Sequence, residues 1–124
     1  MDLRLEGKKA LITGGSRGIG KATAEALAKE KVKVAIVARG KDELDKIVGE
    51  IGGKRDGHMG FSIDLMDENG PRSLFEELQS DFGEPEIVVH NLGGSLAIRD
   101  QLCSINEWRK VWRLNMEIPI EINI

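Results

Sequence analysis

A glycine-rich turn between a β-prone run and a helical run is the feature that most constrains this chain. Residues 8–13 read KKALIT, and residues 18–31 have the apolar periodicity of a helix. Between them lies TGGSRGIG, residues 13–20. A turn with so few Cβ atoms lets backbone N–H groups approach a phosphate at the N-terminus of the following helix. The turn therefore predicts an anion site on a strand–helix connection.

The rest of the chain continues this alternation of strands and helices. The predicted strands are 8–13, 32–38, 57–64 and 86–90. The predicted helices are 18–31, 42–51, one from Pro71 to a break at Gly83, and one that begins after Ser104. Alternation with short connections predicts an α/β fold with a parallel sheet and right-handed crossovers. We expect one domain over residues 1–124, with a doubly wound sheet in the strand order 3-2-1-4.

Each predicted helix has an apolar stripe that we expect to face the sheet. The stripes are Ile19, Ala22, Ala26 and Leu27; Leu44, Ile47, Val48 and Ile51; Leu74, Phe75, Leu78 and Phe82; and Trp108, Val111, Trp112 and Asn115. Ser104 and Glu107 have the spacing of a capping box. Residues 117–124 carry isoleucine at every second position, so they either continue the last helix or pair as a strand between chains.

Composition limits the classes of function. The chain has 18 Lys and Arg against 21 Asp and Glu, which predicts no basic surface for nucleic acid or anionic lipid. No segment approaches the roughly 20 apolar residues that span a bilayer. The single Cys103 excludes an internal disulfide and is compatible with the cytoplasm, where we expect the protein. The two histidines and one cysteine lack the spacing of a metal site, so we expect no metal.

A P-loop NTPase is one alternative for the glycine turn. Residues 15–21 match G-x-x-x-x-G-K, but the motif then needs Ser or Thr for Mg²⁺, and Ala22 follows. Thr23 comes one position late, which is about 100° around the helix. The fourth strand ends in His90 and Asn91 without the aspartate that such a site uses. The NTPase interpretation is therefore the weaker one.

The spacing T-G-x-x-x-G-x-G, from Thr13 to Gly20, resembles the signature of the short-chain dehydrogenases/reductases. Three further motifs follow in the family's order. Asp64 resembles its adenine-contacting aspartate, residues 90–94 (HNLGG) resemble its NNAG segment, and Asn115 resembles the asparagine of its catalytic helix. Within the family the sequence is most similar to 3-oxoacyl-carrier-protein reductases. The resemblance covers nearly the whole chain and implies a Rossmann-type fold and hydride transfer between a nicotinamide and a carbonyl or alcohol.

The resemblance also implies where a dinucleotide contacts the chain. Its pyrophosphate and adjacent riboses would contact Gly14, Ser16, Arg17, Gly18, Ile19 and Gly20. Its adenine would contact Asp64 and Leu65, and its nicotinamide ribose Asn91 and Gly93. Asn115 would bind the water of the proton relay. The alternatives are structural: Asp64 as a strand-end cap, Asn91 as a strand brace, and Asn115 as a buried amide satisfied within the core.

The cofactor is expected to be NADP(H). In a Rossmann site an acidic residue that ends strand two binds the adenosine ribose hydroxyls. Here that strand ends in Ala38 and Arg39, and a guanidinium suits a 2′-phosphate. Arg17 in the glycine turn adds a second positive charge. The alternative is that Arg39 lies in solvent at the end of its strand.

The composition contains no tyrosine. By resemblance, carbonyl reduction in the family uses Ser, Tyr and Lys, with Tyr as the general acid and Lys lowering its pKa. We therefore expect a chain truncated after the Asn115 helix and inactive alone, acting on a small carbonyl or alcohol only in a longer form. A non-catalytic dinucleotide-binding module is the alternative. The open edge of strand four predicts self-association into a homo-oligomer.

Overall fold

The computed structural model describes residues 4–15, 18–91 and 104–123. In these ranges four parallel strands form one sheet in the order β3-β2-β1-β4, which confirms the predicted topology. The strands are β1 (Lys9–Thr13), β2 (Lys33–Ala38), β3 (Met59–Ser62) and β4 (Ile87–His90). The α-helices are α1 (Gly18–Lys29), α2 (Lys41–Glu50), α3 (Gly70–Glu77), α4 (Ile105–Trp112) and α5 (Ile118–Asn123). A 3₁₀ turn (Lys54–Asp56) precedes β3, and π-helical segments follow α3 (Leu78–Phe82) and α4 (Arg113–Glu117).

The sheet has a hydrophobic core on each face, as a doubly wound fold requires. Successive residues of β1 and β2 point to opposite faces, so both strands are apolar along nearly their whole length. One core joins the sheet to α1 and α2, and its buried members are Ala10, Ile12, Ala24, Val32, Val34, Ile36, Leu44, Ile47 and Val48. The other joins it to α3 and α5, and its buried members are Leu11, Ala35, Val37, Phe61, Leu65, Leu74, Leu78, Phe82 and Ile118.

The predicted stripe is right for α2 and partly wrong for α1 and α3. Leu44, Ile47 and Val48 are buried. In α1 the buried positions are Gly20 and Ala24, whereas Ile19 is 77% exposed and Ala22 and Ala26 also face solvent. In α3, Phe75 is exposed while Leu74 is buried, as is Leu78 at the start of the π segment that follows. The cause in α1 is close contact: the residue with no side chain, Gly20, faces the sheet, and the apolar side chains beside it point elsewhere.

The face of α4 is the clearest correction. The capping box at Ser104 is present, with both reciprocal hydrogen bonds to Glu107. The expected inward stripe is wrong, because Trp108 and Trp112 are 54% and 57% exposed. The buried residues are instead Leu114 and Ile118, four positions apart across the π segment, and Ile118 belongs to the core with α3. Each helical residue turns about 100°, so this face differs from the one with the tryptophans.

Residues 118–123 continue as helix, so the strand alternative for this segment is not adopted. Pro119 lies in the first turn of α5, where proline is tolerated. The every-second-residue isoleucines cannot all share one helical face. Ile118 is fully buried, Ile122 is partly buried, and Ile120 is exposed. The isoleucine spacing is typical of a strand, but burial of Ile118 and Ile122 on one face fits the helical alternative.

Candidate functional site

The carboxyl ends of the four strands bring distant parts of the sequence to one edge of the sheet. Thr13 at the end of β1 pairs with Val37 in β2 and with His90 in β4, and Val37 pairs with Phe61 in β3. The next residues along the chain therefore lie beside one another. They include Gly14, Arg39, Asp64 and Asn91, four of the residues predicted to contact a dinucleotide.

The turn after β1 is fixed by hydrogen bonds to both neighbouring strands. The Gly14 N–H donates to the Val37 carbonyl over 2.9 Å, and Gly14 has a φ of +68°, which favours glycine. On the other side, the Asn91 amide Nδ2 donates to the Gly14 carbonyl over 3.1 Å. The Asn91 N–H donates to the buried Thr13 Oγ1 over 3.1 Å. Asn91 thus braces the turn, as its structural alternative predicted, and still lies at the edge of the site.

The glycines of the turn are required for different physical reasons. A Cβ on Gly20 would lie 2.5 Å from the Gly14 carbonyl oxygen and 2.6 Å from Asn91 Nδ2. A Cβ on Gly15 would lie 2.6 Å from the Ile36 methyl group. Gly18 has a φ of +55° and open space around it. The first turn of α1 is therefore pressed against the β1 turn, and its Gly18 side faces open space. Ser16 and Arg17 lie outside the described residues.

The first turn of α1 presents its apolar side chain to solvent. Ile19 is among the most exposed large apolar residues of the described chain. Thr23, the hydroxyl that a P-loop would need one position earlier, donates to the Ile19 carbonyl over 2.7 Å within the helix. The hydroxyl is therefore engaged with the helix backbone, which adds no support to the NTPase alternative.

Arg39 follows β2 directly and is exposed. Within the described ranges, its guanidinium has no hydrogen-bond or ion-pair partner, while its backbone carbonyl accepts a hydrogen bond from Ser62 Oγ over 2.9 Å. That hydrogen bond ties the ends of β2 and β3 together. Arg39 thus offers an uncompensated positive charge at the same edge as the glycine turn.

The loop after β3 carries Asp64 and Leu65. Asp64 is exposed, and its Oδ1 accepts a hydrogen bond from the Met66 N–H over 2.9 Å. The Leu65 side chain is 4% exposed and belongs to the core, so it does not face the edge. Among the residues described, nothing accepts a hydrogen bond from the Leu65 N–H. Any contact of Leu65 with a bound base would therefore come from its backbone.

Sequence reasoning missed Arg113, which holds the same loop from the other side. Its Nε donates to the Met66 carbonyl over 2.9 Å, and its Nη2 donates to the carbonyls of Asp67 and Leu65 over 2.8 and 3.3 Å. Its Nη1 lies 3.0 Å from a Glu121 carboxylate oxygen and 3.8 Å from one of Glu117. The i, i+4, i+8 charge spacing was a signal for the ion pairs. Nothing in the spacing points to the loop carbonyls.

Asn115 lies in the π-helical segment after α4 and is exposed, so the expectation that it points inward is wrong. Its Nδ2 donates to the Val111 carbonyl, 2.9 Å away. The inward face belongs instead to Leu114 and Ile118. π-Helical segments are often found at functional sites, where they displace backbone groups from the α-helical pattern. Gly93, another predicted contact, lies outside the described ranges.

Two expected absences concern metals and membranes. In residues 4–15, 18–91 and 104–123, no three His, Cys, Asp or Glu side chains are grouped as metal ligands would be. None of the helices described there has both the length and the apolar content to cross a bilayer.

A parallel sheet with helices on both faces, and a glycine turn at its carboxyl edge, defines a Rossmann-type domain, a class whose ligands lie at this edge. The short chain dehydrogenase family model matches residues 8–122. The chain belongs to this family, as the motifs predicted.

Three known proteins show how far the similarity extends. The NADP-dependent (R)-specific alcohol dehydrogenase of Lentilactobacillus kefiri is 36% identical over 92% of this chain and 45% of its own. The 3-oxoacyl-(acyl-carrier-protein) reductase FabG of Escherichia coli strain K12 is 34% identical over 92% of this chain and 46% of its own. The L-sorbose reductase of Gluconobacter frateurii, solved with NADPH and L-sorbose, superposes with a TM-score of 0.89 at 30% identity, over 98% of this chain and 47% of its own. The chain thus spans about half the length of these relatives.

Proposed function

We propose that the chain is the NADP(H)-binding part of a short-chain oxidoreductase. One observation carries the proposal: the first turn of α1 packs so closely under the β1 turn that a Cβ on Gly20 would lie 2.5 Å from the Gly14 carbonyl. That packing sets the N-terminus of α1 at the sheet edge with the open Gly18 side toward the site. A helix N-terminus with exposed N–H groups favours a diphosphate.

The residues present fit a dinucleotide along this edge. Gly14, Gly18, Ile19 and Gly20, with Ser16 and Arg17, would hold the diphosphate and adjacent riboses. Asp64 and the Leu65 N–H would contact the adenine. Asn91 and Gly93 would lie under the nicotinamide ribose. Two observations support the adenine assignment. The carboxylate of Asp64 is exposed, and the Leu65 N–H has no hydrogen-bond acceptor among the described residues.

NADP(H) is the form that the site favours. The guanidinium of Arg39, which no residue of the described ranges pairs with, stands where NAD-binding sites place an acid, and it matches a 2′-phosphate in charge and geometry. The Lentilactobacillus relative is named as NADP-dependent, and the Gluconobacter structure contains NADPH. These proteins support the same cofactor for this chain.

The bound cofactor would supply or accept a hydride at a small carbonyl or alcohol. The chain contributes binding, and Asn115 is the one residue of the proposed catalytic set within it. With no tyrosine in the sequence, the family's general acid has no counterpart here. We propose that this chain alone binds the cofactor without reducing a carbonyl. NADPH oxidation by the purified chain, dependent on added aldehyde or ketone, would disprove this part.

The charge of Arg39 gives the direct test of the cofactor. Titration of intrinsic fluorescence should show tighter binding of NADPH than of NADH by the unmodified chain. Arg39→Ala should weaken NADPH about tenfold or more, since a charge-assisted hydrogen bond is worth about 1.5–3 kcal/mol, and should leave NADH nearly unchanged. Arg55→Ala, an exposed arginine in the 3₁₀ turn before β3, is the matched control. NADH binding more tightly than NADPH in both the unmodified chain and Arg39→Ala would contradict the assignment.

Self-association is part of the same proposal. The exposed face of α4 and the π segment after it carries Ile105, Trp108, Trp112 and Met116 at helical spacing, which is a larger apolar stripe than isolated surface residues produce. A second copy of the chain would cover it. Sedimentation velocity at rising concentration should show a dimer or larger species, and a constant monomer would contradict it.

A further inference from the structure

One guanidinium organises the loop between β3 and α3. Arg113, from the helical segment on the far side of the loop, donates hydrogen bonds to three successive carbonyls, those of Leu65, Met66 and Asp67. Three successive carbonyls can converge on one point because the loop is tightly turned. The Met66 and Asn69 N–H groups donate to the carboxylates of Asp64 and Asp67.

Burying the guanidinium of Arg113 costs free energy unless its contacts compensate the charge. Its side chain is only 18% exposed, and a charge that leaves water needs compensation. The loop carbonyls and the carboxylates of Glu117 and Glu121 provide it. A guanidinium meets this geometry because its fork of donors is planar and fixed, whereas an ammonium is a point charge.

The loop that Arg113 holds is the one with the adenine groups of the proposed function. Arg113 donates a hydrogen bond to the Leu65 carbonyl. The N–H of the same residue has no acceptor among the described residues, and Leu65 directly follows Asp64. The core holds the Leu65 side chain, and the hydrogen bond from Arg113 holds the Leu65 carbonyl. The two groups that would read the base, the Asp64 carboxylate and the Leu65 N–H, are therefore set by Arg113.

We propose that Arg113 is a positioning residue for recognition of the adenine base. This inference rests on the proposed function. Arg113 acts through the loop and does not itself touch the cofactor. It follows that the residue governs the distinction between adenine and other bases more than the affinity for the rest of the dinucleotide.

The test compares NADPH with its hypoxanthine analogue, in which a carbonyl oxygen replaces the amino group that a carboxylate can accept from. The unmodified chain should bind the adenine form more tightly, and Asp64→Asn should remove most of that preference. Arg113→Met should weaken NADPH about tenfold and the hypoxanthine analogue about twofold or less, so that the preference falls at least fivefold. In the Asp64→Asn background, Arg113→Met should change the preference no further, because both act on the same contact.

Controls separate positioning from general stability. Glu121→Gln weakens the ion pair but leaves the three carbonyl contacts, so it should keep the base preference within about twofold. Arg113→Lys keeps the charge without the planar fork and should show a partial loss even where Arg113→Met lowers the folded fraction. Backbone hydrogen exchange of residues 65–70, measured without cofactor, should accelerate in Arg113→Met and not in Glu121→Gln.

The outcomes distinguish this inference from the proposed function. If the unmodified chain binds no NADPH, the proposed function fails and this inference fails with it. If the unmodified chain binds NADPH and the base preference is unchanged in both Arg113→Met and Arg113→Lys, only this inference is overturned. An equal loss of preference in Glu121→Gln and Arg113→Met also overturns it, since the ion pair and not the carbonyl clamp would then be responsible.

Discussion

The two central strands of the sheet, β1 and β2, are buried more completely than the edge strand β4. In β1 and β2, the residues from Ala10 to Ile12 and from Val34 to Val37 are at most 1% exposed. In β4, half-buried and exposed residues alternate, and Val88 is 37% exposed. β1 and β2 each have a strand on both sides, whereas β4 has β1 as its only strand neighbour within the described residues.

In β1, β2 and α2, apolar patterning predicted the buried positions correctly. The α4 helix shows the opposite case. Its Trp and Val spacing marks an apolar face, but the expectation that this face points inward is wrong, because periodicity does not show which structure packs on a face. One face of this helical segment carries the exposed Trp108 and Trp112, and another carries the buried Leu114 and Ile118. Of these residues, Ile118 belongs to the core on that side of the sheet.

Truncation of one residue on each α4–α5 face is the strongest test of this contrast. Ile118→Ala removes a fully buried side chain from the core shared with Leu11 and Leu74, and it should lower the free energy of unfolding by about 4 kcal/mol. Trp112→Ala removes a larger but exposed side chain and should change it by about 0.5 kcal/mol or less. Urea denaturation followed by circular dichroism, at a concentration where the chain is monomeric, measures both. A larger loss for Trp112→Ala than for Ile118→Ala would show that the tryptophan face is the packed one.

Much of the fold was predictable because the strands are short, apolar and separated by clear turn signals. The strand order, the approximate bounds of all four strands, the buried stripe of α2 and the capping box at Ser104 were all predicted correctly. The errors share a cause. Ile19, Phe75 and Trp108 are apolar residues at helical spacing that face outward, and spacing alone does not distinguish the buried stripe from its neighbour.

The geometry of the candidate site was predictable where a motif is local and not where it depends on tertiary contacts. The glycine turn could be located because a strand, a turn and a helix follow one another within a few residues. The hydrogen bonds that fix it could not, since Thr13 and Asn91 are separated by 78 positions in the sequence. Arg113 was missed for the same reason: its carbonyl partners lie 46 to 48 positions away.

The contact between α1, the buried strand β1 and the edge strand β4 gives the second test. Gly20→Ala places a Cβ among the Gly14 carbonyl, the Asn91 amide and the Gly15 Cα, which joins α1, β1 and β4. Since these neighbours are backbone or engaged amide groups, the turn must open. We expect a loss of about 3 kcal/mol in the free energy of unfolding, with loss of NADPH binding.

Gly49→Ala is the control for this substitution. Gly49 lies in α2 with nothing within 4 Å of an added Cβ, so alanine should stabilise the helix by about 0.5–1 kcal/mol. Opposite signs for the two Gly→Ala variants would attribute the loss to close contact at the junction. If both variants changed the free energy of unfolding by equally small amounts, the β1 turn would be loose enough to admit a side chain. Such a turn would contradict the close packing on which the proposed diphosphate site depends.

The smallest expected effect is a pH dependence of stability that arises at the buried central strands. His58 is 2% exposed, and its Nδ1 accepts a hydrogen bond from the Val34 N–H over 3.1 Å. Burial lowers the pKa of His58 below its usual value of about 6.5, and the nearby Asp56 carboxylate offsets this only in part. As the pH falls below about 6.5, the unfolded chain takes up a proton before the folded one does. The stability contributed by neutral His58 is therefore complete above that pH and is lost as the pH falls toward the lower folded pKa.

The measurement is the free energy of unfolding between pH 7.5 and pH 5, and the two histidines allow a matched comparison. His58→Asn keeps an oxygen that can accept from Val34 but cannot titrate, so the decline in stability on acidification should become shallower. His90→Asn changes the histidine of β4, which is exposed and pairs with Asn123, and it leaves His58 in place, so the decline should persist. If both variants keep the full decline, the acid sensitivity does not come from the His58 contact. The buried strands would then owe their pH response to another group.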